Sequence, residues 1–182
     1  MVRRALTIPV FVLVRPRAGN FVYTAEEVDG MREAIESAIS AGADGIVTGA
    51  LTSGGQVDAD AMRILMRVAK GVPVTFHRAF DEVRDRSRGL EDLASLGAAR
   101  VLTSGGAPSA SEGVDVIAGL VRESQGRISV VAGGNVRAHN VARILGLTRV
   151  REVHSRLVDE KSIRQLVDAV RTQEASAVGL ES

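Results

Sequence analysis

The feature that most constrains this chain is a unit that recurs six times: a short unbroken apolar run, a turn rich in glycine and polar residues, then an amphipathic helix. The apolar runs are residues 8–14 (IPVFVLV), 45–48 (GIVT), 72–76 (VPVTF), 100–103 (RVLT), 128–132 (ISVVA) and 151–154 (REVH). They are β-branched and continuous rather than alternating, the pattern of strands covered on both faces. A spacing of roughly 25 to 40 residues leaves room for one helix between parallel strands. The expected class is α/β, built from six βα units.

The helices carry their own start and stop signals. Thr24 with Glu27 forms a capping box, after which Val28, Met31, Ile35 and Ile39 share one face and Gly42 marks the end. Asp58 or Asp60 opens the second helix, with Met62, Leu65, Met66 and Ala69 inward and Gly71 beyond. Leu90, Leu93 and Leu96 precede Gly97, and Ser109 with Glu112 caps a helix carrying Val114, Ile117 and Val121. Asn135 precedes a helix with Val141, Ile144 and Leu145 that should stop at Gly146, and the last helix spans 162–170. One domain over residues 1–171 is expected, with 172–182 a frayed tail.

Six βα units can form an open doubly wound sheet or part of a closed barrel. Glycine and polar residues follow every strand, which favours a TIM-type barrel with its site at the strand C-termini. A doubly wound sheet would concentrate them at one switch point. Composition narrows the function classes. A net charge of +1 gives no electrostatic footprint for nucleic acid or an acidic membrane, and 3% aromatic residues leave no base-stacking platform. No apolar run approaches the length of about 20 residues that spans a bilayer, and residues 1–14 lack the organisation of a signal peptide. With no cysteine there is no disulfide and no thiolate chemistry, so a cytoplasmic location is expected.

Candidate chemistry sits at the strand ends. Gly133, Gly134 and Asn135 lie between a strand and a helix, where bare amides and the helix dipole favour a phosphate or carboxylate. Ser104, Gly105 and Gly106 repeat that arrangement one unit earlier; in both places glycine could instead simply permit a tight turn. Arg15, Arg17 and Arg78 are expected at the same rim, which suits a small anionic ligand. His77 and His154, two of the three histidines, are candidate acid–base groups, and Glu152 shares a strand face with His154. The alternative is that both histidines are hydrogen-bonded groups lining the barrel mouth, with Asp81 fixing Arg78. His139 reads as a surface residue inside a helix. As a metal set, His77 and His154 are sparse, because zinc takes three or four ligands and copper(I) prefers sulfur. Met62 and Met66 have core spacing.

The strand-end motifs VRPRAGNFVYT (14–24), VTG (47–49), VTFHRAFD (74–81), RVLTSG (100–105), AGGNVR (132–137) and EVHS (152–155) resemble those of the CutC family, in order and spacing, over residues 7–155. The resemblance implies a TIM-type barrel, cytosolic and self-associating, with a role in copper binding and copper homeostasis. It implies that Arg15, Arg17, His77, Arg78, Asp81, Glu152 and His154 surround the barrel mouth. It also implies that the chain corresponds to units 3–8, without the family's first two βα units and the cysteines found there in some members. A barrel so opened exposes parallel edges, and a homo-oligomer would cover them. Two functions stand open: a copper-binding homeostasis protein, or a barrel enzyme acting on a small anionic or phosphorylated metabolite.

Overall fold

A computed structural model of the protein describes residues 6–178. Six strands, β1 (Phe11–Leu13), β2 (Gly45–Thr48), β3 (Val74–Phe76), β4 (Arg100–Thr103), β5 (Ser129–Gly133) and β6 (Glu152–His154), alternate with α1 (Ala25–Ser40), α2 (Ala59–Val68), α3 (Arg86–Leu96), α4 (Val114–Ser124), α5 (Ala138–Thr148) and α6 (Glu160–Val178). The strand order is β1-β2-β3-β4-β5-β6, and the β1–β2, β2–β3, β3–β4 and β5–β6 pairs are parallel. A doubly wound sheet reverses its order at a switch point, and this one never does. The fold is therefore an incomplete TIM-type (β/α) barrel of six βα units.

Contacts divide the chain into two compact units, Met1–Val101 and Leu102–Ser182. No linker marks the boundary, which falls inside β4. In a βα series each element packs mainly on its sequence neighbours, so a division needs no break in the chain.

The first unit packs Ile35, Ile46, Met62, Leu65, Phe76, Phe80 and Leu93 into a core with no exposed side-chain surface. Met62 is thus core, as its spacing indicates. Thr24 and Glu27 form the expected capping box on α1, and Asp58 caps α2 through its side chain. Gly45 starts β2 where a Cβ would lie 2.3 Å from the Phe11 ring, so its missing side chain makes room for Phe11. A 3₁₀ helix, Arg78–Glu82, separates β3 from α3 and was not foreseen.

The second unit buries Ile117, Ala132, Val136, Val141 and Ile144 completely. Three expectations change here. Ser109 and Glu112 bond to each other in a turn, and α4 starts after Gly113 without a side-chain cap. Helix α5 passes through Gly146 and ends at Thr148, with Arg149 in the left-handed conformation. Helix α6 runs to Val178 rather than stopping near 170, so the tail expected to fray is helical as far as it is described. Residues 179–182 lie outside the described residues.

Gly113 is the tightest backbone contact of this unit: a Cβ there would sit 1.9 Å from the Ser104 carbonyl oxygen. Gly113→Ala should therefore cost at least about 2 kcal/mol, read from urea unfolding. Gly30, inside α1 with nothing within 4 Å, makes the control. Gly30→Ala should stabilise the protein by about 0.5–1 kcal/mol.

Candidate functional site

In the first unit the site grows from the end of β3. His77 continues that strand by donating its N–H to Thr48 O at 2.9 Å, and its carbonyl accepts Phe80 N–H as the 3₁₀ helix begins. Its ring then caps that helix: Nδ1 accepts the Ala79 N–H at 3.2 Å. A neutral imidazole with Nδ1 accepting carries its proton on Nε2. That Nε2–H is enclosed and has no hydrogen-bond partner, in a residue only 5% exposed. Buried polar atoms are almost always paired, so an orphan here calls for an explanation.

The ring is held on several sides. Phe21 lies 5.0 Å away and Phe76 5.9 Å, between centroids. Leu51 N–H donates to Phe21 O at 2.8 Å, tying the loop after β1 to the loop after β2. A Cβ on Gly49 would be 2.8 Å from His77 Nδ1, so glycine at that position lets the ring lie where it does. Burial drives the His77 pKa down to about 4; its backbone hydrogen bond opposes this and the charge of Arg15 assists it.

The three rim arginines separate in role. Arg15 lies over Phe21, 4.4 Å from the ring centroid, and donates to Gly19 O at 2.7 Å. Arg17 is spent on structure: it pairs with Glu27 and donates to Val22 O and Asn20 O, closing the loop onto α1. That pairing, first among its causes, holds the Glu27 carboxyl below its ordinary value. Arg78 pairs with Asp81 at 2.7 Å, the fixing role foreseen for Asp81. Arg15 alone of the three forms no ion pair among the described residues. Beside it, the Tyr23 hydroxyl is enclosed and within the influence of the Arg15 guanidinium. Burial raises the Tyr23 pKa, opposed by Arg15 and Arg17.

In the second unit the glycine turns have packing reasons. Ser104 Oγ–H donates to Ala107 O at 2.6 Å and Gly105 N–H donates to Thr103 Oγ1 at 2.8 Å. A Cβ on Gly105 would meet Gly113 O at 2.7 Å, and one on Gly133 would meet Leu102 Cδ1 at 2.6 Å. Gly106, Gly134 and Asn135 adopt positive φ, Gly134 O accepts Ala110 N–H, and Asn135 O accepts from Asn140 Nδ2. Tight turns therefore account for much of what the sequence offered as an anion cradle. Glu152 starts β6 and accepts from Ser129 Oγ at 3.0 Å, while His154 ends the same strand and is exposed.

The CutC family model matches residues 1–158. The chain belongs to the CutC family. It is 48% identical over 155 residues to a family protein CutC of Xanthomonas axonopodis pv. citri, a match covering 85% of this chain and 65% of that protein. It is 45% identical over 154 residues to the human protein named Copper homeostasis protein cutC homolog, covering 85% of this chain and 56% of that one. The chain thus spans less than two thirds of the length of these relatives. The crystal structure of a CutC protein from Streptococcus agalactiae superposes with a TM-score of 0.78 at 36% identity, covering 81% of this chain and 72% of that one.

The family's association with copper can be tested against the donors present. Among the described residues no three His, Asp or Glu side chains converge as a metal site. His77 is a poor ligand for a chemical reason. A metal bound at Nε2 needs that lone pair, which moves the proton to Nδ1, and Nδ1 already faces the Ala79 N–H. Two donors would then oppose each other, whereas ligating histidines normally donate from the second nitrogen to an acceptor. Copper does not fit His77 as this ring is held.

Sequence reasoning missed Phe21, Tyr23 and Gly49. All three lie in motifs it quoted, but only tertiary contact gives them a role. The depressed His77 pKa sets an acid limit on stability. Between pH 6.5 and about 4 the unfolded chain binds a proton that the folded one refuses, so stability falls as pH falls through this window. The loss should approach about 3 kcal/mol, and thermal unfolding of His77→Gln should be correspondingly flatter across the same window.

Proposed function

We propose that this CutC-family protein binds a small oxyanion at the strand ends of its first unit, as the ligand-binding half of a barrel enzyme's chemistry. The observation that carries the reading is the buried, unpartnered Nε2–H of His77. A donor left empty in an apolar setting costs free energy that a ligand oxygen would recover. Arg15 supplies an uncommitted positive charge beside it. At neutral pH His77 would act as a neutral donor polarising a ligand oxygen, not as the general base its sequence position suggests.

A second reading has support in the names of relatives: the human relative is called a copper homeostasis protein. In this chain copper would be cargo held by donors other than His77 Nε2. A cytoplasmic location and self-association belong to the same proposal. No helix among the described residues is long and apolar enough to cross a membrane.

Thermal unfolding of the protein with small carboxylates, phosphate esters and copper separates these readings. A ligand bound only by the folded state at about 100 times its Kd adds about 2.7 kcal/mol. An oxyanion should raise the melting temperature of the wild type and lose that effect in Arg15→Gln. Copper stabilising wild type and His77→Gln alike, with no oxyanion effect, would transfer the conclusion to the copper reading.

A further inference from the structure

We propose that the site formed by His77 and Arg15 selects a monoanionic carboxylate over a phosphate dianion. This rests on the oxyanion reading above and names the ligand class. Three observations support it, and each concerns charge or donors rather than fold.

The first is charge. Arg17 is neutralised by Glu27 and Arg78 by Asp81, leaving Arg15 as the one of the three with no ion pair among the described residues. His77 adds no second charge at neutral pH, because the folded protein holds its ring neutral. One positive charge complements a carboxylate. A phosphate monoester carries about −1.5 to −2 at pH 7 and would leave charge uncompensated in a partly dry site.

The second is the supply of backbone amides. Phosphate sites at strand ends use the bare N–H groups of the following helix. In the 3₁₀ helix that follows β3, two of these amides are already used: Ala79 N–H goes to His77 Nδ1 and Phe80 N–H goes to His77 O. Two of the amides that a phosphate would use in such a turn are thus engaged internally.

The third is the set of empty donors. His77 Nε2–H is enclosed without a partner, and Arg15 has N–H groups beyond the one bonded to Gly19 O. One neutral donor and one guanidinium match the two oxygens of a carboxylate. Arg15 is exposed and rests on Phe21 by stacking.

The charged groups around His77 allow a pH test. Arg15 is the charge whose field reaches the ring, Tyr23 titrates above its ordinary value, and Arg78 and Asp81 on the next turn pair with each other. A carboxylate bound by a neutral His77 donor should therefore bind evenly near neutrality. A histidine binding as a cation would lose affinity as pH rises through its ordinary range.

The experiment is nuclear magnetic resonance on the full chain with ring-¹⁵N histidine, titrated with pyruvate and separately with inorganic phosphate. The His77 ring should keep the Nε2–H pattern from about pH 5.5 to 8. Pyruvate should shift that signal saturably, with a Kd changing less than about twofold over the range, and phosphate should bind at least about tenfold more weakly at the upper end. Arg15→Gln, at an exposed position, should weaken pyruvate about tenfold or more with unchanged melting temperature. Phosphate binding as tightly as pyruvate through the same signal would overturn the carboxylate preference and leave the oxyanion reading standing. A response to neither probe would overturn both, and a pyruvate Kd unchanged in Arg15→Gln would overturn the assignment of the counter-charge.

Discussion

The chemistry of the candidate site depends on one hydrogen bond, from Ala79 N–H to His77 Nδ1. It fixes which ring nitrogen carries the proton, and so whether the side chain can accept, donate or ligate. Because the donor is backbone, and the backbone is held by the 3₁₀ helix and by the His77–Thr48 contact, the tautomer cannot adjust to suit a metal. The ring is also too buried to gain a proton near neutrality. What remains is a neutral donor pointing at nothing. Such a group persists in a fold when the cost of leaving it unpaired is offset by binding or catalysis.

Around that bond the first unit looks assembled for rigidity. Gly49 leaves room for the ring, Phe21 and Phe76 bracket it, and Leu51 ties the Phe21 loop in place. Arg17 closes its loop onto the capping box of α1, so the segment carrying Arg15, Phe21 and Tyr23 is anchored at both ends. Barrel enzymes place functional groups at strand C-termini because the scaffold is stiff there and the loops are free to vary. The second unit obeys the same architecture with less to offer a ligand: its glycines serve close backbone contacts, above all Gly105 against Gly113.

Much of the architecture was legible in the chain itself. The apolar runs at 45–48 and 100–103 match β2 and β4 to the residue, because a strand buried on both faces has no other way to be written. The capping box at Thr24 and Glu27 is equally local. Errors came where a local signal met competition. Ser109 and Glu112 have capping chemistry but satisfy each other, and Gly146 is a permissible helix residue that tertiary packing on α6 overrides. Strand β1 is shorter than its seven-residue apolar run, since apolar character continues past the ladder that β2 can pair.

Thus the sequence by itself determined the class, the order of elements, the family and the identity of the strand-end residues, because periodicity, caps and motifs are properties of neighbours along the chain. Only the tertiary structure decided the strand order that excludes a doubly wound sheet, since periodicity is the same in both arrangements. It also decided which arginine stays uncommitted, which glycines are packing devices and which nitrogen of His77 holds the proton. Those depend on partners far apart in the chain, such as Arg17 with Glu27, Gly49 with His77 and Phe21 with Leu51. The charge and protonation of a group follow from what surrounds it in space, and no spacing of residues along a chain records that.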